Sequence, residues 1–216
     1  MVTDEHALDA ATVVGTPPVA DPTYAVTSGG DATDPGDGVL TLREAIAEAK
    51  GAGVSATITF AAGIDTVTLA QGELLIDGTS AARGVGLAID GGAGVRLVQG
   101  AVTGRVMRID GDPGVDDQLV KLSNLSLEQG RFVDAVGGGL LAEGARLDIE
   151  DCLVAENEVA SGSGTGTLGG GVALLDPVTT VSGGSVERNQ IDATGTARPR
   201  AAFSTPSAGR SVSTTP

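Results

Sequence analysis

Carboxylates are the plentiful reactive groups of this 216-residue chain, which has 28 acidic residues but one histidine, His6, and one cysteine, Cys152. They gather at two places. Asp110, Asp112, Asp116 and Asp117 crowd a Gly- and Pro-containing stretch. Two carboxylates flanking a glycosidic bond are what sugar hydrolysis requires. A Ca²⁺ cage with a basic neighbour would serve β-elimination, and Arg105, Arg108 and Lys121 lie close by in sequence. No histidine and no aromatic sugar platform accompanies these acids, however. They read first as a solvated acidic corner, next as a cation site at Asp110 and Asp112, and last as a catalytic set. The second cluster is Asp31, Asp34 and Asp37 in a Gly/Asp loop. Hard cations such as Ca²⁺ take carboxylate oxygens, but an EF-hand supplies them from alternate positions rather than from every third one. This loop therefore reads as a solvated turn, with Ca²⁺ as the only cofactor worth testing.

Other chemistries fail on residue types. With His6 alone there is no Ser-His-Asp or Cys-His arrangement in the body of the chain, and no zinc ligand set. Gly91-Gly-Ala-Gly-Val-Arg96 begins like a Ca²⁺-binding nonapeptide, yet Arg96 stands where a liganding Asp should be. Cys152 falls within an apolar run and reads as a small buried hydrophobe that has no disulfide partner. A formal net charge of −15 opposes binding to nucleic acid or anionic lipid. No run of 18 apolar residues suggests a membrane span, and Met1–Asp21, with Asp4, Glu5 and Asp9, does not read as a signal peptide.

The elements that would position these groups are repetitive. Gly137-Gly138-Gly139-Leu140 is answered 32 residues later by Gly169-Gly170-Gly171-Val172, and Val154-x-x-Asn157 by Val186-x-x-Asn189 at the same offset. A fixed period of this size marks one supersecondary unit that buries its apolar face against the next copy. Val120, Leu122, Leu125 and Leu127 match Leu147, Ile149, Cys152 and Val154, giving a third rung, with Gly130 in the place of Asn157 and Asn189. Gly and Asn most readily take a left-handed bend, and a column of asparagines can hydrogen-bond along the stack. Upstream, short period-two runs at Thr57–Phe60, Thr66–Leu69, Glu73–Ile76, Gly86–Ile89, Val95–Val98 and Val106–Ile109 read as strands. Three of them run into Asp-Gly turns, at Asp77-Gly78, Asp90-Gly91 and Asp110-Gly111. No two-residue hairpin turn separates the runs, so the strands stack in parallel. The core must be aliphatic, since aromatics make up only 2% of the chain.

The fold class is therefore all-β, a right-handed parallel β-helix (solenoid) with a short N-terminal capping α-helix. That helix is expected over 41–50. Thr41 and Glu44 form a capping box, Leu42, Ala45, Ile46 and Ala49 make one apolar stripe, and Gly51 follows as the stop. It would cover the open first rung of the stack. Residues 1–23 are expected to be a flexible acidic and Pro-rich lead-in, 24–193 the β-helix, and 194–216 a disordered Ser/Thr/Pro/Arg tail. A third Gly-Gly-Gly due at 201 is missing, so the tail reads as a linker or a shifted reading frame. With no cap visible at that end, end-to-end self-association is expected.

Two sets of residues go beyond periodicity. Leu40-Thr41-Leu42-Arg43-Glu44-Ala45 resembles the Cys-Ser-Leu-Arg-Glu-Ala motif of the CSLREA domain, with Leu-Arg-Glu-Ala intact. The paired Gly-Gly-Gly-Leu/Val and Val-x-x-Asn segments resemble repeats of polymorphic outer-membrane proteins, with Val in the place of Phe. Together the resemblance covers about residues 24–190. It implies a β-helix of the pectin-lyase-like kind on a secreted or surface-displayed bacterial protein. Its role would be non-enzymatic: an adhesin-like or passenger-type segment that meets an unknown glycan or protein surface. The corner excursions Gly78–Gly84, Gly111–Asp117 and Ala160–Leu168 are the candidate contacts. The competing class is a polysaccharide lyase or glycoside hydrolase acting through the acids at 110–117.

Overall fold

The computed structural model describes residues 21–77, 86–101, 103–111, 119–133, 136–161, 169–175 and 178–193, together with the backbone of 203–204 and 213–215. In chain order, β1 (Thr23–Val26) precedes the helix α1 (Leu42–Ala52), and β2 (Ala56–Phe60), β3 (Thr66–Leu69), β4 (Leu74–Asp77) and β5 (Leu87–Gln99) follow. Next come β6 (Met107–Asp110), β7 (Leu119–Glu128), β8 (Arg131–Val133), β9 (Leu140–Glu143), β10 (Arg146–Glu150), β11 (Leu153–Ala155) and β12 (Glu158–Ser161). The last are β13 (Val172–Leu175), β14 (Val178–Ser182), β15 (Ser185–Glu187), β16 (Gln190–Ala193), β17 (Phe203–Ser204) and β18 (Ser213–Thr215).

These strands coil into a parallel β-solenoid of about 4 turns. One face stacks β1-β2-β5-β7-β10-β14-β18, and beyond a bend its second half stacks β3, β5, β7, β11 and β15. A second face stacks β4-β6-β9-β13-β17, and a third stacks β8-β12-β16. Every strand pair is parallel. The 32-residue period is the register of the last complete coils, pairing Leu140 with Val172, Leu147 with Thr179 and Val154 with Val186. The third rung aligns as expected but at an offset of 27, with Val120 on Leu147, Leu122 on Ile149 and Leu127 on Val154.

Alternation decides which side chains enter the core. On each face every second residue points inward and stacks on its equivalent one coil away. Ile58, Ile89, Leu122, Ile149 and Val181 form one such column. Val67, Leu97, Leu127, Val154 and Val186 form another. Leu74, Met107, Leu140 and Val172 form a third. The first members of each column are fully buried, whereas Val186 at the far end is 40% exposed. Each fully buried aliphatic side chain contributes about 1.5–3 kcal/mol before chain entropy is subtracted, so one coil cannot stand without its neighbours.

Several local expectations shift. The helix runs two residues past the expected end, and Gly53 rather than Gly51 closes it in a left-handed conformation, φ 66°. The runs at Gly86–Ile89 and Val95–Val98 belong to one strand, β5, whose ladder to β7 is interrupted between Asp90 and Val95. The Asp-Gly turns divide: Asp77 and Asp110 stack directly in the second face, while Asp90 pairs with Ser123 at the bend of the first. The left-handed residues fall one position before Gly130, Asn157 and Asn189, on Gln129, Glu156 and Arg188 at φ 62°, 59° and 49°. Within 194–216, β17 and β18 pair with β13 and β14 and continue two faces. The rest of 194–216, and residues 1–20 of the lead-in with His6, lie outside the described residues.

Candidate functional site

The acid loop at the N-terminal end is spent on structure. Asp31 is buried and accepts from Arg43 Nε (2.7 Å) and Nη2 (2.9 Å), and its Oδ2 also accepts from the amides of Ala70 and Gln71 at 2.9 and 2.7 Å. Asp34 and Asp37 each accept from the amide two residues on, Gly36 at 3.2 Å and Val39 at 3.0 Å. The three carboxylates therefore face separate backbone and side-chain donors instead of one another. Among the described residues no three His, Cys, Asp or Glu side chains gather closely enough to hold a metal.

What this region does is seal the stack. The capping box forms as expected: Thr41 Oγ1 accepts from Glu44 N at 3.3 Å, and Glu44 Oε2 accepts from Thr41 N at 2.9 Å. The bond from Thr41 N, helped by Thr41 Oγ1 and by the Asp34 amide at 2.7 Å, holds the Glu44 carboxyl below its ordinary pKa. Arg43 donates onward to the carbonyls of Glu73 and Gly72, at 2.9 and 3.1 Å, just ahead of β4. Lys50 pairs with Asp77 at the other end of β4. The helix thus lies along the outer edge of β4. The Gly29 carbonyl meanwhile accepts from Thr68 N at 2.9 Å and covers the edge of β3. Each residue of Leu42-Arg43-Glu44-Ala45 has a task here: Leu42 and Ala45 are buried, Arg43 bridges, and Glu44 caps.

Asp110 of the second cluster is also engaged. It stacks between Asp77 and Glu143, and Arg108 neutralises the column by donating Nε to Asp110 at 2.7 Å and Nη2 to Glu143 at 3.0 Å. That pairing with Asp110 raises the Arg108 pKa. Asp112, Asp116 and Asp117 lie outside the described residues. Further ion pairs join coil to coil, including Lys121–Glu150 (2.6 Å), Arg96–Glu128 (2.6 Å) and Arg131–Glu158 (2.5 Å). The exposed Lys121–Glu150 pair adds little stability, whereas Glu128 is buried and takes two bonds from Arg96. Arg105 is different: it is buried, donates Nε to Gly137 O at 2.7 Å and Nη2 to Val136 O at 2.8 Å, and pairs with Glu73 at 2.5 Å. Desolvation lowers its pKa, opposed by Glu73. It fastens three successive coils, and the sequence gives no sign of this, because Arg105 looks like any surface arginine.

The repeat residues form the clearest constellation. Asn157 is fully buried; its Oδ1 accepts from Gly130 N at 2.7 Å, and its Nδ2 donates to Leu127 O at 3.0 Å and to Asn189 Oδ1 at 2.9 Å. Asn189 repeats the pattern, with its Nδ2 donating to Val154 O at 2.7 Å. The glycine triplets stack beside them: Gly137, Gly138 and Gly139 donate to the carbonyls of Gly169, Gly170 and Gly171 at 2.9, 3.0 and 2.8 Å. The two signatures need each other. A Cβ on Gly139 would stand 2.7 Å from Asn157 Nδ2, and one on Gly171 2.7 Å from Asn189 Nδ2. Cys152 is buried, and desolvation raises its thiol pKa. The asparagine and glycine ladders are thus framework.

The turn from the second face to the first varies most between coils. It takes residues 144–145 between β9 and β10 and 176–177 between β13 and β14, but 78–86 and 111–118 in the two coils before and 205–212 between β17 and β18. The first of those long turns leaves after Asp77 and the second after Asp110, which are register partners, so both spring from one corner. Residues 162–168 connect β12 on the third face to β13 on the second and so belong to another corner. Nearly all of Gly78–Gly84, Gly111–Asp117 and Ala160–Leu168 lies outside the described residues.

The fold and its ladders define the chain as a capped parallel β-solenoid. No family model, no curated protein and no solved structure matches it.

Proposed function

We propose that this chain is a non-enzymatic β-solenoid segment of a secreted or bacterial-surface protein, adhesin-like in role. It acts as a stiff rod that holds variable corner loops against a glycan or protein partner. The observation that carries the reading is the pair of long connections, 78–86 and 111–118, that leave side by side from a stack whose next two coils make the same connection with two residues. A regular scaffold with length variation confined to a few connections is how binding surfaces are built, since loops change without disturbing the core. The engagement of Asp31, Asp34, Asp37 and Asp110 by internal donors also favours structural roles for those acids.

The test is loop exchange. Replacing 78–86, and separately 111–118, with the Gly144-Ala145 turn of the later coil leaves the stack intact. Binding to an array of glycans and purified cell-surface proteins is then compared with that of the parent. Loss of any parent signal in either variant at unchanged Tm supports the reading; survival of every parent signal in both variants contradicts it.

A further inference from the structure

The bend that divides the first face is tight in the later coils. Between Ser123 and Leu125 it takes the single residue Asn124, and between Glu150 and Cys152 the single residue Asp151, both left-handed at φ 55° and 50°. In the two N-terminal coils it is expanded. Four residues, Gly91–Gly94, stand between the paired positions Asp90 and Val95, opposite Asn124 alone. One coil earlier, Ala61–Asp65 connects β2 to β3 at the same bend. The two expansions enclose a groove of about 290 Å³ whose walls include Phe60, Ile64, Asp65, Asp90 and the backbone of Gly92–Gly94. Bulges of this kind interrupt a ladder and re-aim side chains, and they recur beside binding sites.

The groove's chemistry is mixed in a particular way. Phe60 and Ile64 pack against the core, and their half-buried surfaces line one apolar wall of the groove. Asp65 stands exposed at the rim. Asp90 is held in place: its Oδ1 accepts from Gly92 N (2.9 Å), Asn124 Nδ2 (2.9 Å) and Ser123 Oγ (3.2 Å), while Oδ2 takes none of these bonds. The interrupted ladder releases the amides of Ala93 and Gly94 from β-pairing. One fixed acceptor at Asp90, a second carboxylate at the rim, backbone amides outside the ladder and one apolar wall suit a ring with hydroxyls on its edge and C–H groups on its face. Two carboxylates beside the groove, on a chain of net charge −15, repel an anionic ring.

We propose that this groove binds a neutral, hydroxyl-rich saccharide unit, with Asp65 and Asp90 accepting from ring hydroxyls and Phe60 packing on the ring face. The proposal rests on the reading of the chain as a binding protein and adds a site separate from the corner loops. It is tested on the full chain with a panel of neutral oligosaccharides and uronic-acid oligosaccharides, by saturation-transfer NMR and calorimetry. Neutral members are expected to bind and uronic ones not. Asp65→Ala, and Ala93→Trp to fill the groove, should each weaken neutral binding about tenfold or more, with Tm retained and exchange of 78–86 or 111–118 without effect. Equal affinity in parent, Asp65→Ala and Ala93→Trp overturns the proposal, as does binding of uronic members alone or of no saccharide. Those results leave the binding reading standing wherever loop-dependent partner binding persists; loss of that as well removes the reading itself.

Discussion

At the scale of single residues, hydrogen bonds buried between coils matter more than the many acids at the surface. Asn157→Ala removes the acceptor of Gly130 N and the donor to Leu127 O in a fully buried place. The expected loss is about 2–4 kcal/mol, read from urea unfolding. Gly139→Ala should cost about 1–3 kcal/mol by the same measurement, since its new methyl meets Asn157 and Val154 Cγ1, both at 2.7 Å. Thr179 gives the opposite sign. It occupies the inward column of Val120 and Leu147, and its buried Oγ1 has no hydrogen-bond partner among the described residues. Thr179→Val should stabilise the protein by about 1 kcal/mol, because an apolar group of the same shape needs no partner. The asparagine column was legible in the sequence from its spacing. The placement of the left-handed residue one step earlier was not, because Gln129, Glu156 and Arg188 have no intrinsic preference for it and the stack imposes it.

At the scale of elements, the N-terminal cap is the part most open to a decisive substitution. Asp31→Ala leaves Arg43 without its carboxylate and frees the amides of Ala70 and Gln71. Breaking a buried pair of this kind costs about 3–5 kcal/mol. The loss should be local first: amide exchange at β3 and β4 should accelerate while β9 and β10 stay protected. Uniform exchange across the stack would show that the cap and the coils form one cooperative unit. The helix itself was readable from Thr41, Glu44 and its apolar stripe, and so was its role at the open end. The partner that locks it was not, since Asp31 sits in a Gly/Asp loop that looks like a solvated turn and its value arises from Arg43, Ala70 and Gln71 converging in space. In the same way, two strand-like runs separated by glycines look like two strands; only the pairing of both with β7 makes them the single bulged β5.

For the whole molecule, acid is the condition that tests the carboxylates together. Asp90 titrates below its ordinary 3.8, chiefly through Asn124 and Gly92, and Glu44 below 4.5 through Thr41. A lowered folded pKa gives stability that is complete above the unfolded value and lost as pH falls through the folded one. Tm should therefore be level from neutral pH to about 5 and fall below about 4; Asp90→Asn should flatten that fall, and a Tm that rises on acidification would contradict the assignment. The parallel stack could be foreseen from the doubled Gly-Gly-Gly and Val-x-x-Asn segments, whereas the groove at the bend could not, since it arises from expansions in two coils about 30 residues apart that only register brings together. The most direct test of the central claim, binding without turnover, is to incubate the protein with soluble neutral and acidic polysaccharides in Ca²⁺. Retention of the polysaccharide and its chain length are then measured together. Retained neutral chains of unchanged length are the expected result; progressive shortening of either kind that Asp110→Ala with Asp112→Ala abolishes would make the molecule an enzyme and contradict the account.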